Sequence, residues 1–302
     1  MPTDYRSEFA DFESVAYLNA ALQGPMPLAA AREAQAALEW KKRPDRLGDT
    51  AYFDLPDRIR EKVSRVIGAR PDEIAVTSGA SAGLASVAAG IDWKPGDEVL
   101  VGRGEFPAHF STWLRYEKAG KLRVRVVEPR GRFITADDYI AQIGPQTRVI
   151  SASFVRFDNG ARLDSARVGE ACRKVGAALL LDITQCAGSM PLDIRELGAD
   201  MAVCSGYKWL LGPYGAGFFW IASEWIERLP RDRCMLASPE ERSKRGPYVC
   251  VSARKREETP VLYEKVRAAQ IHVSLRDNAL RIAPYLYNTP EEISRLIEVL
   301  SA

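Results

Sequence analysis

Short apolar runs bounded by turns alternate with segments of helical period over most of the chain. EIAVTSGASAGLASVAAGI reads as a short strand, a Gly/Ser turn and a helix opened by small residues. DEVLVG is a strand after the turn KPG, LRVRVVE alternates apolar with basic positions, and TRVISASFV reads as a buried strand. ARVGEACRKVG has the period of an amphipathic helix, and ALLLDI is an apolar strand that ends in an acid. ADMAVCS and GAGFFWIA predict two further strands, one on each side of a turn that carries Lys208. Strands apolar at every position need cover on both faces, and alternation with helices points to parallel connections. The pattern predicts an α/β fold with a mainly parallel sheet and helices on both faces.

After about Leu236 the texture changes. LASPEERSKRGP is polar and loop-like. YVCVSAR then reads as a strand, TPVLYEKVRAAQ as a helix, IHVSLRD and ALRIAP as a hairpin through Asp277-Asn278, and TPEEISRLIEVL as a helix. Thr289-Pro290-Glu291-Glu292 supplies a cap, a first-turn proline and acids at the positive end of the helix dipole. The expected division is a large α/β domain over 15–235 and a small α+β domain over 236–302. The N-terminal segment 1–14 is expected to pack with the small domain.

Composition removes several function classes. Forty-two basic against 40 acidic side chains leave a net charge of +2, which gives no field for nucleic acid or an acidic membrane. The five cysteines are odd in number and lack a Cys-x-x-Cys pair, which predicts reduced thiols in a cytoplasmic protein, without disulfides or a zinc knuckle. They read as small buried hydrophobes. With His109 and His272 as the chain's two histidines, no His-rich metal site is expected. The start MPTDYRSEFADFESVAY is acidic and polar, unlike a signal peptide, and no apolar run reaches membrane-spanning length.

In open α/β sheets, ligands sit outside the carboxyl ends of the strands. Three such ends carry polar residues here. Asp182 closes ALLLDI, with Gln185 three residues on; Ser205 and Lys208 follow MAVCS; and TSGASAG, Thr77 to Gly83, follows IAV. An acid, a lysine and an anion-binding turn at one sheet edge suit pyridoxal phosphate. That cofactor needs a lysine for a Schiff base, a carboxylate for its pyridinium nitrogen and helix-start N–H groups for its phosphate. A rival reading takes Gly79 to Gly83 as the G-x-S-x-G nucleophile elbow of an α/β-hydrolase, with Ser81, Asp182 and His272 in order along the chain. It leaves Lys208, Gln185 and the Gly-Pro turn unexplained.

LLLDITQCAG, CSGYKWLLGPYGAGF and RIAPYLYNT together resemble the class-V aminotransferase group of fold-type-I pyridoxal-phosphate enzymes. That group holds cysteine desulfurases, kynureninases, isopenicillin-N-epimerase-like proteins and some C–S lyases. The resemblance runs from YLNAALQGPMP to LRIAPYLYNTPEE and implies a seven-stranded sheet. It implies Lys208 as the Schiff-base lysine, Asp182 as the acid on the pyridine nitrogen and Gln185 as the contact to the phenolic oxygen. Ser205 and Tyr207 then bind phosphate together with the turn at Ala80 and Ser81; many relatives have histidine at the position of Tyr207. Phe106 in EFPAH covers the ring face, with His109 as second choice, and Arg281 holds the carboxylate of an amino-acid substrate. A homodimer is expected. Two departures stand out: the segment between Met235 and Tyr248 is much shorter than in relatives, and the mobile cysteine loop of the desulfurases has no match. The resemblance favours β-elimination or C–S cleavage. An aminotransferase, an epimerase and a degenerate, non-catalytic binding protein remain as alternatives.

Overall fold

The structure, a computed structural model, describes residues 5–46, 51–226, 249–282 and 289–301. The chain divides into two compact units, 1–235 and 236–302. In chain order the first contains α1 (Leu28–Lys42), α2 (Ala51–Ile67), β1 (Ile74–Thr77), α3 (Ala80–Gly90), β2 (Glu98–Gly102), α4 (Pro107–Lys118) and β3 (Arg123–Val127). It continues with α5 (Ala136–Ile140), β4 (Thr147–Ser153), α6 (Ser165–Val175), β5 (Ala178–Asp182), β6 (Met201–Ser205), β7 (Gly217–Ile221) and α7 (Ser223–Ile226). The second contains β8 (Val249–Val251), α8 (Thr259–Ala268), β9 (Ser274–Arg276), β10 (Ala279–Ile282) and α9 (Pro290–Ser301).

The strands of the first unit form one seven-stranded sheet in the order β1-β7-β6-β5-β4-β2-β3. From β3 to β6 the neighbours are parallel, and β7 runs antiparallel to both β6 and β1. Every residue of β5 is buried, as the unbroken apolar run of ALLLDI requires. Both faces are therefore covered. Leu84 and Val87 of α3, Trp113 of α4, and Val168 and Cys172 of α6 join one core with the strands. The predicted strands and the helices α3 and α6 are all present. Five helices of this unit were not foreseen: α1, α2, α4, α5 and the one-turn α7. α1 has no buried residue, so its sequence lacks the apolar stripe that periodicity detects.

Residues 5–14 fall in the first unit, whereas the sequence suggested the second. The chain just beyond them is tied there: Gln185 Nε2 donates to Ala21 O at 3.0 Å, and Gly24 N–H donates to Tyr207 O at 3.0 Å.

The second unit has a three-stranded sheet, β8-β10-β9, antiparallel throughout. Asp277 and Asn278 take φ of 47° and 54°, the doubly left-handed geometry of a two-residue hairpin turn. Val266, Val273, Leu280 and Leu296 make its core. Thr289 caps α9 reciprocally: Glu292 N–H donates to Thr289 Oγ1, and Thr289 N–H donates to Glu292 Oε2. β9 is shorter than IHVSLRD suggests. Cys234, the polar stretch 236–248 and residues 283–288 of the RIAPYLYNT segment lie outside the described residues. Among the described residues, no helix is long and apolar enough to cross a membrane.

Candidate active site

The carboxyl ends of β4, β5 and β6 and the β1–α3 turn border a cavity of about 310 Å³. Lys208, Asp182 and Ser205 line it, as do Ala80, Ser81, Gln185, Tyr207 and Phe106. Strand order brings these residues together from four separate stretches of chain.

Lys208 sits in a turn fixed by its small residues. Gly206 N–H donates to Ala216 O at 2.8 Å, Gly212 N–H to Gly206 O at 2.9 Å and Leu211 N–H to Lys208 O at 3.0 Å. Leu211 takes a left-handed φ of 57° to close the loop. Gly24 passes so close that a Cβ there would overlap the Lys208 carbonyl oxygen. The lysine is 7% exposed and pairs with no carboxylate among the described residues. Its Nζ lies 5.8 Å from the Phe106 ring centroid and 5.9 Å from that of Tyr207. Burial pushes its pKa below the usual lysine range, and the nearby Asp182 charge opposes that only in part.

Asp182 is 9% exposed. Its Oδ1 accepts the Thr184 N–H at 2.8 Å, and its Oδ2 stands 3.8 Å from His109 Nε2. Burial alone would raise its pKa; His109 and the Thr184 contacts outweigh it and hold the carboxyl below its usual value. Thr184 also braces the next strand, since its Oγ1 accepts the Ser205 N–H at 3.0 Å.

At the β1–α3 turn, Gly79 has φ 147° and ψ −179°, a conformation open to glycine alone. It lets the Ser205 hydroxyl approach, and Ser205 Oγ accepts the Ala80 N–H at 3.0 Å. Ser81, at the same helix start, faces the cavity. Tyr207 packs on Tyr214 with centroids 4.8 Å apart. The Gln185 amide is engaged at both ends, donating to Ala21 O and accepting the Trp209 indole N–H at 2.9 Å.

Phe106 caps α4, and its ring meets Phe157 edge-on at 5.4 Å. The residues just before each phenylalanine, Glu105 and Arg156, belong to one buried cluster. Glu105 accepts from Ser153 N–H at 2.9 Å and from Ser153 Oγ at 2.5 Å, and lies 3.5 Å from Arg156 Nη1. Arg156 Nη2 donates to Gly104 O at 2.8 Å. Of the two candidates for the ring face, Phe106 lines the cavity. His109 is fully buried behind Asp182, with Nδ1 2.7 Å from Ser151 Oγ. Arg281 belongs to the second unit, in the middle strand β10, opposite Cys250 and Ser274.

Sequence reading missed Thr184, Phe157, Tyr214 and the place of His109. Thr184 lies inside LLLDITQCAG and could have been singled out; Phe157 follows β4 with no pattern to mark it.

The aminotransferase class-V family model matches residues 49–235. A probable cysteine desulfurase of Methanothermobacter thermautotrophicus is 31% identical over 229 residues, 73% of this chain and 56% of that protein. A cysteine desulfurase of Salmonella paratyphi C is 32% identical over 180 residues, 59% of this chain and 43% of that protein. The chain thus spans about half the length of the curated relatives it matches. Among solved structures, a C-DES variant with glycine covalently linked to its PLP cofactor superposes with a TM-score of 0.70 at 18% identity, over 98% of this chain and 99% of that one. The apo cysteine desulfurase of Thermococcus onnurineus gives 0.62 at 18% identity, over 95% and 94%. These two likenesses concern the fold. The hydrolase reading of Gly79 to Gly83 is left without support. With a family model covering more than half of its residues, the chain belongs to the aminotransferase class-V family.

Proposed function

We propose that the chain is a pyridoxal-phosphate-dependent enzyme that cleaves the C–S bond of a cysteine-like amino acid. The observation that carries this is a buried lysine with no carboxylate paired to it among the described residues, sharing one cavity with a buried carboxylate. The residues present fit the cofactor. Lys208 offers the amine for its aldehyde and Asp182 the carboxylate for its ring nitrogen. The start of α3 at Ala80 and Ser81, with the Ser205 and Tyr207 hydroxyls, suits its phosphate. Phe106 offers a face for the ring, and Gln185 stands at the wall for the phenolic oxygen. The names of the curated relatives, and a C-DES structure described as a cystine C–S lyase with cysteine persulfide, support C–S cleavage.

Pyridoxal phosphate, when bound, supplies an electron sink for the pair left on the substrate α-carbon. The protein positions and moves protons around it. Lys208 Nζ, made less basic by burial, takes the α-proton and returns it to the departing sulfur. Asp182 stays ionised and would hold a proton on the ring nitrogen of the bound cofactor. Phe106 and Phe157 give one side of the cavity an apolar lining. On the family resemblance alone, Arg281 is assigned as the planar, bidentate partner of a substrate carboxylate. For cysteine the balance is cysteine plus water to pyruvate, ammonia and hydrogen sulfide. The C–S electron pair leaves with sulfur, and no net oxidation occurs.

A homodimer and a cytoplasmic location belong to the same reading. α1 exposes Leu38 at 62% and Trp40 at 43%, apolar surface suited to a second copy. Cys172, Cys186 and Cys204 are buried free thiols, while Cys250, expected to be buried, is an exposed one.

The test is a visible spectrum before and after borohydride reduction, with peptide mapping, followed by product analysis. A reducible band that maps to the peptide bearing Lys208 is expected. So is release of pyruvate, ammonia and sulfide from cysteine, absent in Lys208→Ala. A keto acid that forms only with an amino acceptor present would overturn the cleavage reading.

A further inference from the structure

His109 does not touch the cavity, yet it reaches the cavity's acid from behind. It lies near the start of α4 with no exposed surface. Its Nδ1 contacts Ser151 Oγ on β4 at 2.7 Å, and Ser151 is fully buried too. Its Nε2 faces Asp182 Oδ2 at 3.8 Å and has no hydrogen-bond partner among the described residues. Stranding a buried ring nitrogen is costly unless a charge compensates it. A bare Nε2 lone pair aimed at a carboxylate would add repulsion to that cost. An Nε2–H aimed at the same oxygen is attracted to it. In the neutral ring Nδ1 then accepts, and the Ser151 hydroxyl is the donor in place.

We propose that His109 is a positioning residue for Asp182, held by Ser151 as the Nε2–H tautomer so that its N–H steers the carboxylate facing the cofactor's ring nitrogen. The two carboxylate oxygens then have separate anchors: the Thr184 N–H on Oδ1 and the imidazole N–H on Oδ2. Steering matters because the surroundings are poor in charge. Among the described residues, Asp182 interacts with His109, Lys208, Tyr207, Cys186 and Cys204, and the tyrosine and the two cysteines are neutral in their ordinary state. A buried acid in such a site needs donors to stay ionised and aimed. The functional part of this proposal rests on the cofactor reading above; the tautomer is a property of the chain alone.

Two measurements test it. Histidine-selective ¹⁵N labelling of the apoprotein reads the tautomer directly, because the chain has just two imidazoles and His272→Asn assigns the second. The expected result is a single Nε2–H form for His109, shifted by Asp182→Asn and lost to a mixture in Ser151→Ala. An Nδ1–H form would overturn the proposal. Fluorescence titration of the apoprotein with pyridoxal phosphate gives the second readout. His109→Phe should raise the dissociation constant about tenfold, and His109→Gln, which keeps a donor, should restore most of it. In the Asp182→Asn background, His109→Phe should add nothing. An equal loss in both backgrounds would mean that His109 only packs, and the proposal fails. A wild type that takes up no pyridoxal phosphate sinks the cofactor reading instead, and the tautomer then decides the His109–Asp182 pair by itself.

Discussion

At the scale of single residues, burial of Lys208 disfavours its ammonium form, so its pKa in the folded chain lies below the 10.5 of a free lysine. Between those two values the unfolded chain binds more protons, and stability rises with pH. Below the folded value the cost of the buried charge is constant and fully present. Lys208→Met should therefore stabilise the apoprotein at pH 7 by on the order of 1 kcal/mol in urea unfolding, an advantage that shrinks as the pH approaches 10.5. Asp182 has the opposite sign: its folded pKa is depressed below 3.8, so its contribution is present above that value and fades only as the pH falls through the folded pKa. Gly24→Ala places a methyl against the Lys208 carbonyl and should cost about 1–3 kcal/mol, measured the same way. Gly144→Ala, which meets open space, should stay within about 0.5 kcal/mol. The turn around Lys208 was legible because glycine and proline mark turns in any context. The demand at Gly24 was not, because the atom it avoids belongs to a distant part of the chain.

At the scale of elements, the loops after β2 and β4 are tied by Glu105 and Arg156, and each residue precedes a phenylalanine at the cavity. Losing one member leaves a buried charge uncompensated. Arg156→Met should cost about 3 kcal/mol in urea unfolding, and Glu105→Gln added to it should recover part of that loss. In the second unit, Thr289→Ala removes the α9 cap and should cost about 1 kcal/mol, seen as faster amide exchange in the first turns of α9. The cap and the hairpin at Asp277-Asn278 were readable from the sequence, since both are local chemistry. α1 was not, since an exposed alanine-rich helix carries no apolar stripe.

At the scale of the whole molecule, the two units have cores of different size. The first packs both faces of a seven-stranded sheet, and the second depends on Val266, Val273, Leu280 and Leu296. Small cores bury a smaller share of their surface and open more easily. Amides of β4 and β5 should exchange only through unfolding of their whole unit, while those of α8 and α9 exchange orders of magnitude faster. Equal protection in both units would refute this.

By itself, the sequence determined the fold class, the strands of the buried sheet and the chemical types at its carboxyl ends. Burial on both faces leaves unbroken apolar runs, and turns require particular residues. The tertiary structure alone decided which of those residues meet. The order β1-β7-β6-β5-β4-β2-β3 sets the Gly79–Ser81 turn beside Ser205, and Asp182 between His109 and the cavity. Phe106 and His109 stand three positions apart in one short stretch, and only the docking of α4 shows which faces the cavity and which lies behind Asp182. Periodicity records how deeply a side chain is buried. It carries no information about the side chains, far away in sequence, that it is buried against.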